Sequence, residues 1–432
     1  MGLFKLLSII FLFIIFHFKI QKGKIKEIII NEPILPSNNE EIIINNFNKS
    51  HYNLIHPRYY FQDEYKKRKL FKIDYSYYPY LHLKKNFSYE ENAIYIYNLT
   101  GMLNITKLDY YFFQKEEKIN LQMYNHIHIS MAFDKNYTDL SLITIASILN
   151  TSSTYTYIHI HILGLNFGFK EIKKITYLEK INNKVEFIFY NSKQVEYDFD
   201  QGKKEGRGFG IFAKILSPQI INNTNKILIL DSGDILCQKD LSEVYFYDIK
   251  DNYFGWILEI TAGNYFEFKD KFRTNNFHPN AGAYLVNVPL FRKDELYKKA
   301  VFVSKSYHSF DCPVQDILST IANYKFKFIP LNFNLCLYYE NEEDKKKKKK
   351  IQVIAEWMNY QQFSPYKYSF DEILNAILDP VIHHFYIGKM HKKDNCNKFV
   401  IQWLKYANLT GQFNNLKLRY PKPFHCEKLL VE

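Results

Sequence analysis

Between His126 and Phe189, apolar runs of strand length alternate with stretches whose apolar residues recur at helical spacing, and few architectures other than a layered α/β sheet accommodate that order. His126-Ile127-His128-Ile129-Ser130-Met131-Ala132-Phe133 suits a strand, and Leu140 to Asn150 sets Leu142, Ile145, Ala146 and Leu149 at helical spacing. Tyr157 to Leu163 is a second strand, Lys170 to Glu179 a helix and Val185 to Phe189 a third strand, which together predict α/β units around a parallel sheet. Further strands are predicted over Lys226 to Leu230, Tyr253 to Leu258, Ala283 to Val288 and Asp379 to Tyr386. Helices are predicted near Phe209 to Leu216, Asp294 to Ser304, Gln315 to Ala322 and Phe399 to Tyr406.

Upstream of this block, Lys19 to Gln122 is rich in Lys, Asn and Tyr, carries only short apolar runs such as Ile42-Ile43-Ile44, and reads as a stem. Leu6 to Phe18 is an apolar run with Lys5 before it and Lys19, Lys22, Lys24 and Lys26 after it. At about 13 residues it has the length of a signal-peptide core, and the lack of a small-x-small cleavage site favours a short uncleaved anchor. The basic cluster behind it argues for a cytosolic domain, whereas Asn-x-Ser/Thr sequons at Asn48, Asn86, Asn98, Asn104, Asn150, Asn222 and Asn408 argue for the secretory lumen, in the Golgi or endoplasmic reticulum, which is the expectation adopted. The domain organisation expected is a signal peptide or anchor over 1–24, a stem over 25–122 and a catalytic domain over 123–420, with a solvated low-complexity insertion at 341–350. Five cysteines without a C-x-x-C pair exclude a zinc ribbon or a thioredoxin-like site. The net charge of +12 is carried almost wholly by Lys, and no nucleic-acid-recognition module is present, so no nucleic-acid partner is expected.

The chemistry concentrates in Lys226-Ile227-Leu228-Ile229-Leu230-Asp231-Ser232-Gly233-Asp234. An aliphatic strand that ends in acid places Asp231 at the carboxyl edge of the sheet, where open α/β folds bind ligands. Gly233 permits a tight turn that aims Asp234 at the same place. Two hard carboxylates this close suit Mg²⁺ or Mn²⁺, which can bridge the phosphates of a nucleotide. A strand-ending turn capped by Asp has a similar composition.

Read with this one, the segments Met131-Ala132-Phe133-Asp134-Lys135-Asn136-Tyr137, Asn280-Ala281-Gly282, Gln315-Asp316 and His383-His384-Phe385 give the chain a resemblance to glycosyltransferase family 8, whose fold is GT-A-like: a Rossmann-like mixed α/β sheet flanked by helices. Met131-Ala132-Phe133-Asp134-Lys135-Asn136-Tyr137 resembles the family's first strand, which implies that Ala132, Asp134 and Tyr137 meet the nucleotide, Asp134 at the uracil edge and Tyr137 stacked on the base. Lys214 stands where the family has a basic residue against the pyrophosphate; it keeps the charge and loses the bidentate fork of Arg. Asp231 and Asp234 stand in place of the family's Asp-x-Asp, one residue further apart. Asn280-Ala281-Gly282 is similar to the Asn-Ala-Gly segment that holds the sugar, and Gln315-Asp316 to the helix start beside the reacting anomeric carbon, with Val314 in place of an acid. His383-His384-Phe385 resembles the terminal strand whose histidine completes the metal site. Adjacent residues on a strand face opposite ways, so one histidine can serve: the His-Phe pattern favours His384, the spacing to Lys389 favours His383, and His384 is taken as the ligand. Lys389 stands where a lysine holds the β-phosphate, with Met390-His391 in place of Pro-Trp.

The resemblance therefore implies a retaining hexosyl- or pentosyltransferase that uses a UDP-sugar and Mn²⁺ (or Mg²⁺), with a glycan, glycolipid or glycoprotein acceptor and membrane attachment through the N-terminal segment. The competing expectations are a catalytically inactive nucleotide-sugar or glycan-binding module of the same fold, kept open by Val314 and the altered Lys389 context, and a metal-dependent phosphohydrolase built on Asp231 and Asp234.

Overall fold

The computed structural model describes residues 87–105, 107–108, 124–199, 210–258, 279–306, 312–336, 368–385, 391, 396 and 398–430. Along them run helix α1 (Tyr89–Thr100), strands β1 (Met102–Asn104) and β2 (Asn125–Asp134), α2 (Thr138–Thr151), β3 (Thr156–Leu165), α3 (Phe169–Thr176), β4 (Val185–Asn191), α4 (Gly210–Ile220), β5 (Lys226–Leu230) and β6 (Ile235–Cys237). The later principal elements are β7 (Phe254–Trp256), β8 (Ala283–Asn287), α5 (Leu296–Ser306), α6 (Pro313–Ala322), β9 (Phe326–Phe328), β10 (Leu335–Cys336), α7 (Phe370–Leu378), β11 (Ile382–His384) and α8 (Lys398–Leu409).

Eight strands make one sheet in the order β1-β4-β3-β2-β5-β8-β7-β9. The strand-helix repeat read from the sequence gives parallel pairing, and β2, β3, β4 and β5 obey it. The sheet as a whole is mixed, as the family resemblance implies: β8 runs antiparallel to both β5 and β7, and β1 lies antiparallel on β4. An apolar run reports that a strand is buried on both faces and says nothing of its direction. In β5, Leu228 and Leu230 join one apolar cluster while Ile227 and Ile229 join another, so the central strand is covered on both sides.

Within the span read as a stem, β1 pairs into this sheet and α1 leads directly into it. Ser88 caps α1: its hydroxyl accepts from the Glu91 N–H at 3.2 Å and the Glu91 carboxylate accepts from the Ser88 N–H at 2.7 Å. Gly101, at φ +74°, ends the helix in the left-handed region and turns the chain into β1. Buried Tyr97 donates its hydroxyl to the Gly164 carbonyl at the end of β3, 3.1 Å away.

One face of β2 and β3 carries four histidines. His126 Nδ1 lies 2.8 Å from His159 Nε2 and His128 Nδ1 lies 3.0 Å from His161 Nε2, and the ladder ends on Glu186 and Tyr190 of β4 at 2.6 and 3.0 Å. Burial and the neighbouring His159 push His128 down to about 3, and burial holds His161 well below its ordinary value.

A second, three-stranded sheet has the order β10-β11-β6, with β11 antiparallel to β6 and parallel to β10. The last predicted strand, Asp379 to Tyr386, is shorter than expected, because Asp379 is the cap that ends α7 and the paired residues are Ile382–His384. Behind this sheet α8 packs Trp403, Leu404 and Ala407 against Leu140, Ile143 and Ala146 of α2. A disulfide joins Cys396, just before α8, to Cys426 near the C-terminus, whereas Cys237, Cys312 and Cys336 are buried thiols. Among the described residues no helix is long and apolar enough to cross a membrane; the Leu6 to Phe18 run and the insertion at 341–350 lie outside the described residues.

Candidate active site

β2 and β5 lie side by side and parallel, with Met131 opposite Leu230, and the sheet then grows away from them in both directions. That is the switch point at which an open α/β sheet leaves a crevice beyond its carboxyl edge. Asp134 ends β2 and Asp231 follows β5, so both acids stand at that carboxyl edge.

Asp231 is held from three sides. Its N–H donates to the Gly282 carbonyl at 2.6 Å, and its Oδ1 accepts from the Lys214 ammonium, which reaches in from α4 and also donates to the Ala281 carbonyl at 3.0 Å. Its Oδ2 lies 3.7 Å from His384 Nε2. The imidazole rests directly on the backbone of Gly282: a Cβ there would stand 2.0 Å from His384 Cε1. His384 and Asp231 meet because β11 pairs with β6, the strand that begins right after the acidic turn, with His384 opposite Ile235 and the Phe385 N–H donating to the Asp234 carbonyl at 2.7 Å. Alternation along β11 sends His383 the other way, where its ring meets Phe399 edge-on at 4.8 Å between centroids. Burial, with the charge of Lys398, pushes His383 down to about 3.

Helix α2 fixes the acidic turn. Thr144 accepts from the Gly233 N–H at 3.0 Å and donates to the Ile235 carbonyl at 2.9 Å, clamping both ends of a bend in which Gly233 takes φ +83°. Nothing in the sequence pattern marked Thr144 beyond a polar residue on an apolar helix. Tyr137 and Leu140 press on the same bend, since a Cβ at Gly233 would lie 3.1 Å from the tyrosine ring. Asp134 closes its own turn by accepting from the N–H groups of Asn136 and Tyr137 at 2.8 and 3.0 Å. Ala132 is half-buried in β2 opposite Leu163.

Asn280, predicted to hold sugar hydroxyls, spends its amide within the protein. Its Oδ1 accepts from the Gly282 N–H and from Asn334, both at 2.8 Å, and its Nδ2 donates to Cys336 Sγ at 3.1 Å. Gln315 donates to the Pro279 carbonyl at 3.0 Å, and Asp316 accepts from the Cys312 N–H at 3.1 Å at the start of α6. Val314 packs into the apolar cluster under the sheet, and Lys389 lies outside the described residues.

The donor types of half-buried Asp231 and buried His384 fit a small divalent cation, and the Lys214 ammonium on Asp231 marks the place as one that takes positive charge. Among the described residues, Asp234 does not form a group of three donor atoms within 4.8 Å of one another with Asp231 and His384. Among the described residues the one group of three potential ligands with donor atoms within 4.8 Å of one another is Cys396, His425 and Cys426, two of which form the disulfide.

Residues 128–358 match the family described as Glycosyl transferase family 8, a span that takes in every site residue from Ala132 to Asp316 and stops before His384. Among solved structures, the chain is similar to the bifunctional glycosyltransferase WbbM in its apo form, with a TM-score of 0.54 and 16% identity over 68% of this chain and 51% of that one. It thus spans about half the length of the WbbM chain. It is also similar to the galactosyltransferase LgtC in complex with donor and acceptor sugar analogs, with a TM-score of 0.51 and 18% identity over 66% of this chain and 96% of that one. No curated protein matches the sequence significantly. With the family match over more than half its length and a mixed sheet of the GT-A type, the chain belongs to glycosyltransferase family 8.

Proposed function

We propose that this glycosyltransferase moves a hexose or pentose from a UDP-sugar to a glycan, lipid or protein acceptor with retention of configuration, aided by Mn²⁺ or Mg²⁺. The observation that carries the reading is the setting of Asp231, gripped by Lys214 on one oxygen and faced by His384 on the other over the bare backbone of Gly282. A divalent ion held by Asp231 and His384 would supply Lewis acidity toward the departing diphosphate. The Lys214 ammonium, already fixed by the Ala281 carbonyl, shares the negative charge that develops on the leaving group, and Lys389 is assigned the same role. Tyr137 offers a ring face to the base and Asp134 a carboxylate to its edge, while the Ala281-Gly282 backbone lets the sugar approach closely. Gln315 or Asp316 stands beside the anomeric carbon, and Asp234 is assigned to the ion's outer contacts. In the Asp231→Ala variant, Mn²⁺-dependent hydrolysis of the UDP-sugar donor is expected to vanish; a rate equal to wild type overturns the assignment.

A non-catalytic nucleotide-sugar-binding module is the second reading, favoured by Val314, which fills the apolar core where relatives are expected to present an acid. Calorimetric binding of UDP without turnover of any donor in a UDP-sugar panel would establish it.

A further inference from the structure

Cys336 stands behind the histidine. β10 and β11 are parallel neighbours with Cys336 opposite His384, so both side chains leave the small sheet on one face. Cys336 is a buried thiol whose Sγ lies 3.6 Å from His384 Nδ1, while the other ring nitrogen, Nε2, faces Asp231. A neutral imidazole carries one proton, and the group that meets one nitrogen decides whether the other offers a lone pair.

The direction of the Asn280–Cys336 hydrogen bond follows from an unambiguous donor. The Gly282 N–H can only donate, so the Asn280 atom that receives it at 2.8 Å is the carbonyl oxygen. The Asn280 Nδ2 must then point at Cys336, which accepts at 3.1 Å. Toward Asn280 the sulfur is therefore an acceptor, and a thiol sulfur has a further lone pair able to receive the Nδ1 proton of the imidazole.

We propose that Cys336 is a positioning residue whose sulfur accepts the Nδ1 proton of His384 and so fixes the tautomer that presents the Nε2 lone pair to a divalent cation beside Asp231. The proposal rests on the metal reading of Asp231 and His384. A thiol holds the ring without adding a second negative charge beside the carboxylate, and Asn280, tied to the Gly282 turn, keeps sulfur, imidazole and turn in one register.

The test uses the full chain and Mn²⁺ alone. Histidine-selective ¹⁵N spectra of the metal-free protein, with the His384 signals assigned from a His384→Gln difference spectrum, are expected to show Nδ1 protonated and Nε2 bare; a protonated Nε2 overturns the proposal without any Cys336 variant. By Mn²⁺ titration, Cys336→Ala is expected to lose roughly 10–100-fold in affinity, and Cys336→Ser, which keeps an acceptor, to stay within about tenfold of wild type. A Cys336→Ala protein that melts like wild type and binds Mn²⁺ as tightly also overturns it. Failure of the underlying metal reading looks different: Asp231→Ala would then bind Mn²⁺ like wild type, and both fall together.

Discussion

Gly282 is the position where a single added carbon does most harm. Its φ is ordinary, so the constraint is space: a Cβ would overlap three atoms of the His384 ring, the nearest at 2.0 Å. Gly282→Ala is expected to cost about 1–3 kcal/mol by overpacking and to cut Mn²⁺ affinity, read from a denaturation midpoint and a metal titration on the same preparation; wild-type values of both would mean the ring moves aside freely. At this scale the sequence was legible where a residue's position follows from a strand end, as with Asp231, and where strand alternation separates neighbours, as with His383 and His384. The intramolecular partners of the Asn280 amide were not legible. Gly282 is a near neighbour, but Asn334 and Cys336 come to the amide from a segment far along the sequence, and only the fold brings them there.

Among the elements, the long strands announced themselves by apolar content, whereas β1 is three residues long and too short to display a period. The pair β2 and β3 carries a pH dependence of its own. His128 is pushed down to about 3 and His161 well below 6.5 in the folded chain, chiefly by burial, while in the unfolded chain both take a proton near 6.5. The unfolded state therefore binds more protons below that value, so the contribution is complete above pH 6.5 and is lost as pH falls toward 3. Well below pH 6.5 each of the two is expected to remove about 1.4 kcal/mol of stability per pH unit. Urea midpoints at pH 7, 6 and 5 would register the slope, and His128→Gln should make it shallower. A midpoint independent of pH over that range would contradict the neutral state of buried His128 and His161. The interleaving of Ile with His in both strands was visible in the sequence; that the imidazoles would bond to each other required the register, His128 opposite His159, that pairing alone supplies.

For the whole molecule, we propose the secretory lumen as its place of work. The Cys396–Cys426 disulfide supports that reading, since such bonds persist where thiols are oxidised. It closes a loop of separation 30 around α8, and its reduction is expected to lower stability by about 2–4 kcal/mol, measured as a fall in melting temperature under reductant. Of the sequons expected to carry glycan, Asn98 is exposed on α1, Asn104 is buried with its amide nitrogen donating to Glu186 at 2.7 Å, and Asn86 lies outside the described residues. An endoglycosidase is accordingly expected to shift the mobility of the expressed chain, and Asn104→Gln to leave that shift unchanged; no shift at all would argue for the cytosol. The pairing of β11 with β6 also sets an order of manufacture. Every strand of the eight-stranded sheet has been synthesised once Phe328 is made, with Asp134 and Asp231 already in place, but the imidazole that faces Asp231 arrives only with residue 384. A chain ended between Phe328 and Ile382 contains every strand of that sheet and lacks the histidine, so the centre is completed only after the sheet's own sequence has been made.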